Sequence, residues 1–165
     1  MNIRIAFLAD HPEYLDQVAF WHWDEWDREM LGLSLEEVTQ LVRECSLHKD
    51  QLDINLIALT EDNQCIGTIE LADNEFLPGW EETKPWRGSL YVMPEWRNQG
   101  IGTKLKQAAK NAAANLNFEA IHVFISHSND DYLIKEGFKY LDNVNFADEN
   151  WHVYRADLVA AKNSK

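Results

Sequence analysis

One segment in the second half of the chain constrains the fold most. It starts with a strand-like stretch, GSLYVM (88–93), passes two glycines two residues apart, Gly100 and Gly102, and enters a helical pattern over 101–116. The near-continuous apolar stretch AIHVFIS that follows is typical of a strand buried on both faces. Strand, helix and strand in this order predict a crossover between two parallel strands, as found in α/β domains.

The remaining segments indicate a mostly antiparallel sheet around this crossover. Pro12 opens a first helix, and Ser34 followed by Glu37 is a capping-box start for a second. We predict the order β-α-α-β-β-β-α-β-α-β-β, an α/β (α+β) fold with a mixed, mostly antiparallel central sheet flanked by helices, in a single domain over 1–165. The other predicted elements are a first strand at 2–9, a hairpin at 54–60 and 65–71, a short helix closed by Gly137, and a closing hairpin at 139–146 and 151–158.

Composition narrows the class of protein. The 165 residues carry a formal charge of -13, with 28 acidic and 15 basic side chains. Such a surface repels phosphate backbones, so we expect no nucleic-acid partner. It attracts a cationic substrate such as a polyamine or amino sugar, or it serves solubility alone. No apolar run approaches the roughly 20 residues of a membrane helix. Cys45 and Cys65 show no metal-ligand spacing, so we predict no metal site and a cytoplasmic location.

The glycine loop predicts an anion site. A helix start exposes unpaired N–H groups, and glycines let a phosphate approach the backbone. A P-loop needs glycine where Arg97 stands, and a dinucleotide fingerprint needs a small residue where Leu105 stands. An Arg-x-x-Gly-x-Gly loop that receives a coenzyme A pyrophosphate matches RNQGIG, residues 97–102.

At this point the chain resembles the GNAT superfamily of acyl-CoA-dependent N-acetyltransferases. The resemblance rests on PWRGSLYVMPEWRNQGIGTKL (85–105), on EGF at 136–138, which is similar to the family's late Leu-Gly-Phe, and on the order of elements. It implies acetyl-CoA as acyl donor, a bulge in the central strand, and a homodimer. It also implies a set of cofactor-binding residues: Tyr91, Val92, Met93, Arg97, Asn98, Gln99, Gly100, Ile101, Gly102 and Thr103.

Transfer to an amine needs a base for the amine, donors for the oxyanion and an acid for the thiolate. The resemblance implies a backbone N–H near Val92 as the oxyanion donor, and a tyrosine acid at a position that Leu133 occupies here. Tyr132, one residue earlier, is the predicted acid, and His127 on the preceding loop is an alternative. Glu70, on the strand before the loop, is the predicted base.

The acceptor pocket is predicted from tryptophans that lie next to carboxylates. The segment FWHWDEWDREM (20–30) and the polar loop 72–86 supply Trp21, Trp23, Asp24 and Trp80, and such pairs hold organic cations. The predicted function is acetyl transfer from acetyl-CoA to a primary amine of a small cationic molecule in a ternary complex. The alternative is a non-catalytic acyl-CoA-binding sensor, which the leucine at the tyrosine position favours.

Overall fold

The structure is a computed structural model that describes residues 2–73, 77–126 and 130–159. Within these residues, seven strands form a mixed, mostly antiparallel sheet in the order β1-β2-β3-β4-β5-β7-β6, which confirms the predicted fold class. The strands are β1 (Arg4–Phe7), β2 (Ile54–Leu59), β3 (Cys65–Ala72), β4 (Trp86–Val92), β5 (Ala120–Ile125), β6 (Lys139–Phe146) and β7 (Glu149–Asp157). The helices are α1 (Leu15–His22), α2 (Arg28–Met30), α3 (Leu35–Cys45), α4 (Ile101–Asn115) and α5 (Asp131–Lys135).

The chain divides into two compact units. The first holds residues up to 71 together with 89–109, and the second holds 72–88 and the residues from 110 onward. In the first unit, β1, β2 and β3 are antiparallel neighbours, and one face of β2 packs under α1 and α3. The predicted capping box begins α3: Ser34 Oγ accepts from the Glu37 N–H, and the Glu37 carboxylate accepts from the Ser34 N–H at 2.7 Å.

The first helix is longer and less regular than its pattern predicts. After α1 the chain makes a π-helical turn over Trp23–Asp27 and continues into α2. An inserted π turn widens the helix by one residue, which rotates the positions that follow it. Trp26, which lies within this turn, is half-buried and packs edge-on against His22, at 5.9 Å between ring centroids.

Strand β4 is irregular in the middle. Ser89 has a φ of 50°, which interrupts the extended backbone, an irregularity of the kind that the resemblance implies. Beyond it the Met93 N–H donates to Ile66 O at 2.9 Å. A Cβ at Gly67 would lie 2.7 Å from Tyr91 O, so glycine is required for this close approach to β3. Because amide directions alternate along a strand, the main-chain groups of Val92 point away from β3.

The second unit contains the parallel pairing that the sequence predicted. β4 and β5 pair at Trp86 and His122, and β5, β7 and β6 follow as antiparallel neighbours. The closing hairpin turns at Ala147 and Asp148, both with positive φ. Gly137 ends α5 with a φ of 90°, as predicted for a residue just past a helix end.

Candidate active site

A cleft of about 440 Å³ lies at the glycine loop of the first unit. Its wall is the end of β4, and its floor is the loop that enters α4. The lining residues are Glu25, Leu90, Tyr91, Val92, Trp96, Arg97, Asn98, Gly100, Ile101, Gly102, Thr103 and Lys106. Eight of the ten predicted cofactor residues line the cleft; Met93 and Gln99 do not. The Met93 N–H is already bonded within the sheet, and the Gln99 amide donates to Glu95 O at 3.3 Å.

The loop backbone is shaped to present N–H groups. Asn98 and Gly100 both have positive φ, 60° and 79°, which turns the chain sharply into α4. The first helical hydrogen bond runs from the Lys104 N–H to Gly100 O at 3.1 Å. The N–H groups of residues 101–103 therefore have no acceptor within the helix, and they lie at the positive end of the helix dipole. This arrangement favours an anion such as a diphosphate.

Space at the loop depends on the missing side chain of Gly102. A Cβ placed there would meet only Leu90 Cδ2, at 3.9 Å. The position therefore tolerates a side chain in the protein alone, and that side chain would project toward the cleft. Because Gly102 has no side chain, the backbone at this position stays open to the cleft, as a bound diphosphate requires.

An arginine and a tyrosine line one side of the cleft, and a tryptophan packs behind the tyrosine. Arg97 Nε donates to Val92 O at 2.8 Å, and its guanidinium lies 5.7 Å from the centre of the Tyr91 ring. Tyr91 in turn stacks on Trp21, with 4.8 Å between centroids and 29° between planes. Trp21, predicted to bind the acceptor, is only 6% exposed and supports the wall of the cleft from behind.

A cation of the chain itself occupies the predicted Trp23 and Asp24 site. The Arg28 guanidinium lies 4.9 Å from the Trp23 ring centre and pairs with the Asp24 carboxylate at 3.2 Å. Trp23 Nε1 also donates to Leu33 O at 3.0 Å. Arg28 therefore contacts both residues that the sequence assigned to the acceptor.

Glu70, the predicted base, lies on β3 with an unusual environment. Burial and the negative charge of Asp53 together raise the pKa of its carboxyl to about 7, against a hydrogen bond from Ser89 that lowers it. Ser89 Oγ donates to Glu70 Oε2 at 3.1 Å. Ser89 directly precedes the cleft-lining Leu90, so the carboxylate is tied to the strand that forms the cleft wall. A carboxyl that titrates near neutrality suits general-base work.

Several polar groups around Glu70 were not found by sequence reasoning. Burial raises the pKa of Asp27, and the charge of Glu70 adds to this, while His22 opposes it. His22 is buried, which lowers its pKa to about 4. Asn55 stands directly opposite Glu70 in the β2–β3 register. Asn55 had a detectable signal, since it is the one polar residue in the apolar strand INLIAL.

The remaining predicted site residues lie in the second unit. Tyr132 on α5 is 45% exposed, and burial of its ring raises the pKa of its hydroxyl. Leu133, at the position where the resemblance implies tyrosine, is fully buried. Trp80 packs edge-on against the core residue Trp86, at 6.1 Å. The alternative acid His127 lies outside the described residues.

Metal-ligand clusters and membrane-spanning helices are both absent from the described residues. No group of three or more His, Cys, Asp or Glu side chains in them is placed to hold a metal ion. No helix in the same residues is both long and apolar enough to span a bilayer.

A model of one protein family covers most of the chain. The model of the acetyltransferase (GNAT) family matches residues 9–134. No curated protein sequence matches the chain.

Solved structures share the fold at low sequence identity. An aminoglycoside 6'-N-acetyltransferase complexed with coenzyme A is 16% identical with a TM-score of 0.67, over 99% of this chain and 100% of the other. Aminoglycoside 6'-acetyltransferase type Ii is 18% identical with a TM-score of 0.68, over 98% and 99%. An acetyltransferase of the GNAT family from Staphylococcus aureus is 14% identical with a TM-score of 0.66, over 96% and 100%.

Proposed function

Because the chain belongs to the acetyltransferase (GNAT) family, we propose that it moves an acetyl group from acetyl-CoA to a primary amine of a small cationic molecule. The observation that carries the proposal is the cleft in which β4, the glycine loop and the first turn of α4 meet. A thioester carries the acetyl group in activated form. The protein has to hold the donor, bring the amine close and manage two protons.

The residues present fit coenzyme A. In the proposal the first-turn N–H groups of α4 hold the diphosphate, Thr103 adds its hydroxyl, and Arg97 and Lys106 supply positive charge in an otherwise acidic chain. The Val92 carbonyl points away from β3, so it pairs with the pantetheine arm as a neighbouring strand would. In the protein alone, Arg97 Nε donates a hydrogen bond to Val92 O. Pairing with pantetheine requires Arg97 to release that oxygen.

Glu70 is the proposed base. Its carboxylate accepts a proton from the acceptor ammonium, directly or through one water, and the free amine nitrogen attacks the acetyl carbon. The Val92 N–H stabilises the negative charge that develops on the carbonyl oxygen. The carbon–sulfur bond then breaks, and Tyr132 is the proposed donor of a proton to the thiolate. The nitrogen of the new amide loses its second proton, which returns to the Tyr132 oxygen. The raised pKa of Tyr132 keeps its hydroxyl protonated at neutral pH.

The acceptor is proposed to be small and cationic. Support comes from the charge of -13, from the carboxylates around Glu70, and from the aminoglycoside-modifying activity that the names of two similar structures state. The single domain, the homodimer and the cytoplasmic location also stay proposals.

An amine panel tests the function. Free thiol released from acetyl-CoA is measured with polyamines, aminoglycosides and peptide N-termini, and acetyl-CoA binding is measured by calorimetry. We expect binding at micromolar concentrations and thiol release with at least one small cationic amine. Binding without turnover across the whole panel would instead favour the acyl-CoA sensor.

The pH profile should follow the environment of Glu70. Its carboxyl must lose a proton to act as base, so kcat/KM should rise with pH through about 7. Asp53→Asn removes a negative charge that raises the Glu70 pKa, so the rising limb should move to lower pH. Ser89→Ala removes a hydrogen bond that lowers this pKa, so the limb should move to higher pH. Shifts of both variants in one direction would contradict the assignment.

A further inference from the structure

The side chains around Glu70 include a buried amide with an unsatisfied end. We call Asp27, Asp53, Asn55 and Glu70 the Glu70 cluster. Asn55 and Glu70 are cross-strand partners in the β2–β3 register, so their side chains project from the same face of the sheet, with Cβ atoms about 5 Å apart. Asn55 is 0% exposed, and its Nδ2 has no hydrogen-bond partner among the described residues.

The unsatisfied group is the outer end of the Asn55 amide in either orientation. Thr68 Oγ1 lies 3.0 Å from Leu56 O and 3.5 Å from Asn55 Oδ1. Its single proton goes to the nearer carbonyl, so the hydroxyl can accept from Asn55 if the amide is turned by 180°. The end of the amide away from Thr68 is then a carbonyl oxygen instead of an amino group, and it is still unpaired. Buried polar groups are normally paired, so a missing partner is indicated.

A second unpaired atom belongs to the same neighbourhood. His22 is 6% exposed, and its Nε2 has no partner among the described residues. It interacts electrostatically with Asp27, and Asp27 does so with Glu70. Asp27, Asp53 and Glu70 are half-buried residues and Asn55 is fully buried, so the acidic residues lie nearer to solvent than Asn55 does.

Ligand chemistry follows from these groups. Carboxylates attract an ammonium group, which can only donate hydrogen bonds. A hydroxyl group both donates and accepts, so it can pair with Asn55 in either amide orientation. We infer that the Glu70 cluster selects acceptors that carry a hydroxyl group next to the amine, with Asn55 pairing the hydroxyl and the carboxylates of Asp27 and Asp53 attracting the ammonium. The acceptor is therefore an amino alcohol, a class that includes amino sugars, and a plain alkyl polyamine is a poorer one. This inference rests on the proposed function.

The test compares two amines that differ by one hydroxyl group. Thiol release from acetyl-CoA is measured with 1,3-diamino-2-propanol and with 1,3-diaminopropane, and binding of each amine to the complex with coenzyme A is measured by calorimetry. The wild-type protein should favour the hydroxylated amine by about 10-fold or more in kcat/KM. In Asn55→Leu, which has a similar volume, this ratio should fall toward one. Asn145→Leu, at an exposed asparagine of β6, is the matched control and should keep the wild-type ratio.

The possible results distinguish failure of this inference from failure of the proposed function. Equal use of both amines by the wild-type protein, or a preference that survives in Asn55→Leu, would overturn the inference and leave the acetyltransferase proposal standing. Preferential binding of the hydroxylated amine without turnover would support the inference and count against the proposed function. If Asn55→Leu does not fold, Thr68→Val is the second variant, because it removes the hydroxyl beside the Asn55 amide. It should also reduce the ratio. An unchanged ratio in Thr68→Val would count against the role of Asn55.

Discussion

Replacing Glu70 with glutamine is expected to lower kcat by about 100-fold, with little change in acetyl-CoA affinity. A general base contributes roughly 10²- to 10⁴-fold to such reactions, and an amide cannot accept the proton. The side chain keeps its shape and can still accept the hydrogen bond from Ser89, so the cleft wall should stay in place. Steady-state rates of thiol release with the best amine, together with calorimetric titration of acetyl-CoA, measure the two quantities.

The control for this variant is Glu61→Gln, an exposed glutamate in the turn between β2 and β3. It should retain the wild-type kcat. Glu70→Gln should also lose the rise of rate with pH near 7, since that rise is the titration of Glu70 itself. A kcat within about threefold of wild type, or an unchanged pH limb, would show that another group takes the proton.

Replacing Gly102 with valine is expected to weaken acetyl-CoA binding by at least about 100-fold while the protein stays folded. Among the described residues outside its own helix turn, a Cβ at this position comes near Leu90 Cδ2, at 3.9 Å, so the first carbon of the added group does not clash there. It would instead occupy the space through which a diphosphate reaches the N–H groups at the start of α4. Calorimetry measures the affinity, and thermal unfolding checks the fold.

Gln107→Val is the matched control for the valine variant. It places the same β-branched side chain on α4 at an exposed position that does not line the cleft. It introduces the same stiff side chain into the same helix and should bind acetyl-CoA like the wild type. Gly102→Ala should show a smaller loss than Gly102→Val. Unchanged affinity in a folded Gly102→Val protein would place the diphosphate elsewhere.

The glycine loop could be predicted because its information is local. A strand, a positive-φ glycine and a helix start follow one another within a dozen residues, and their geometry depends little on distant parts of the chain. The same holds for the capping box at Ser34 and for Gly137 at the end of α5, both of which the structure contains as predicted.

The environment of Glu70 could not be predicted in the same way. The sequence placed Glu70 on the strand before the glycine loop, but its raised pKa depends on burial and on Asp53, 17 positions earlier. The π-helical turn that carries Asp27 has no recognisable sequence signal. Trp23 and Asp24 show another limit, because the structure pairs both with Arg28 of the same segment, and the sequence pattern did not indicate this partner.

The amino-acid sequence by itself determined the order of elements, the turn of the glycine loop into α4 and the family, because each depends on short-range spacing and helix-end geometry. Only the tertiary structure decided which side chains share a site with Glu70. Proton affinity and hydrogen-bond satisfaction depend on burial and on the neighbours that folding brings together, and the unpaired end of Asn55 becomes visible only when β2 and β3 are placed side by side.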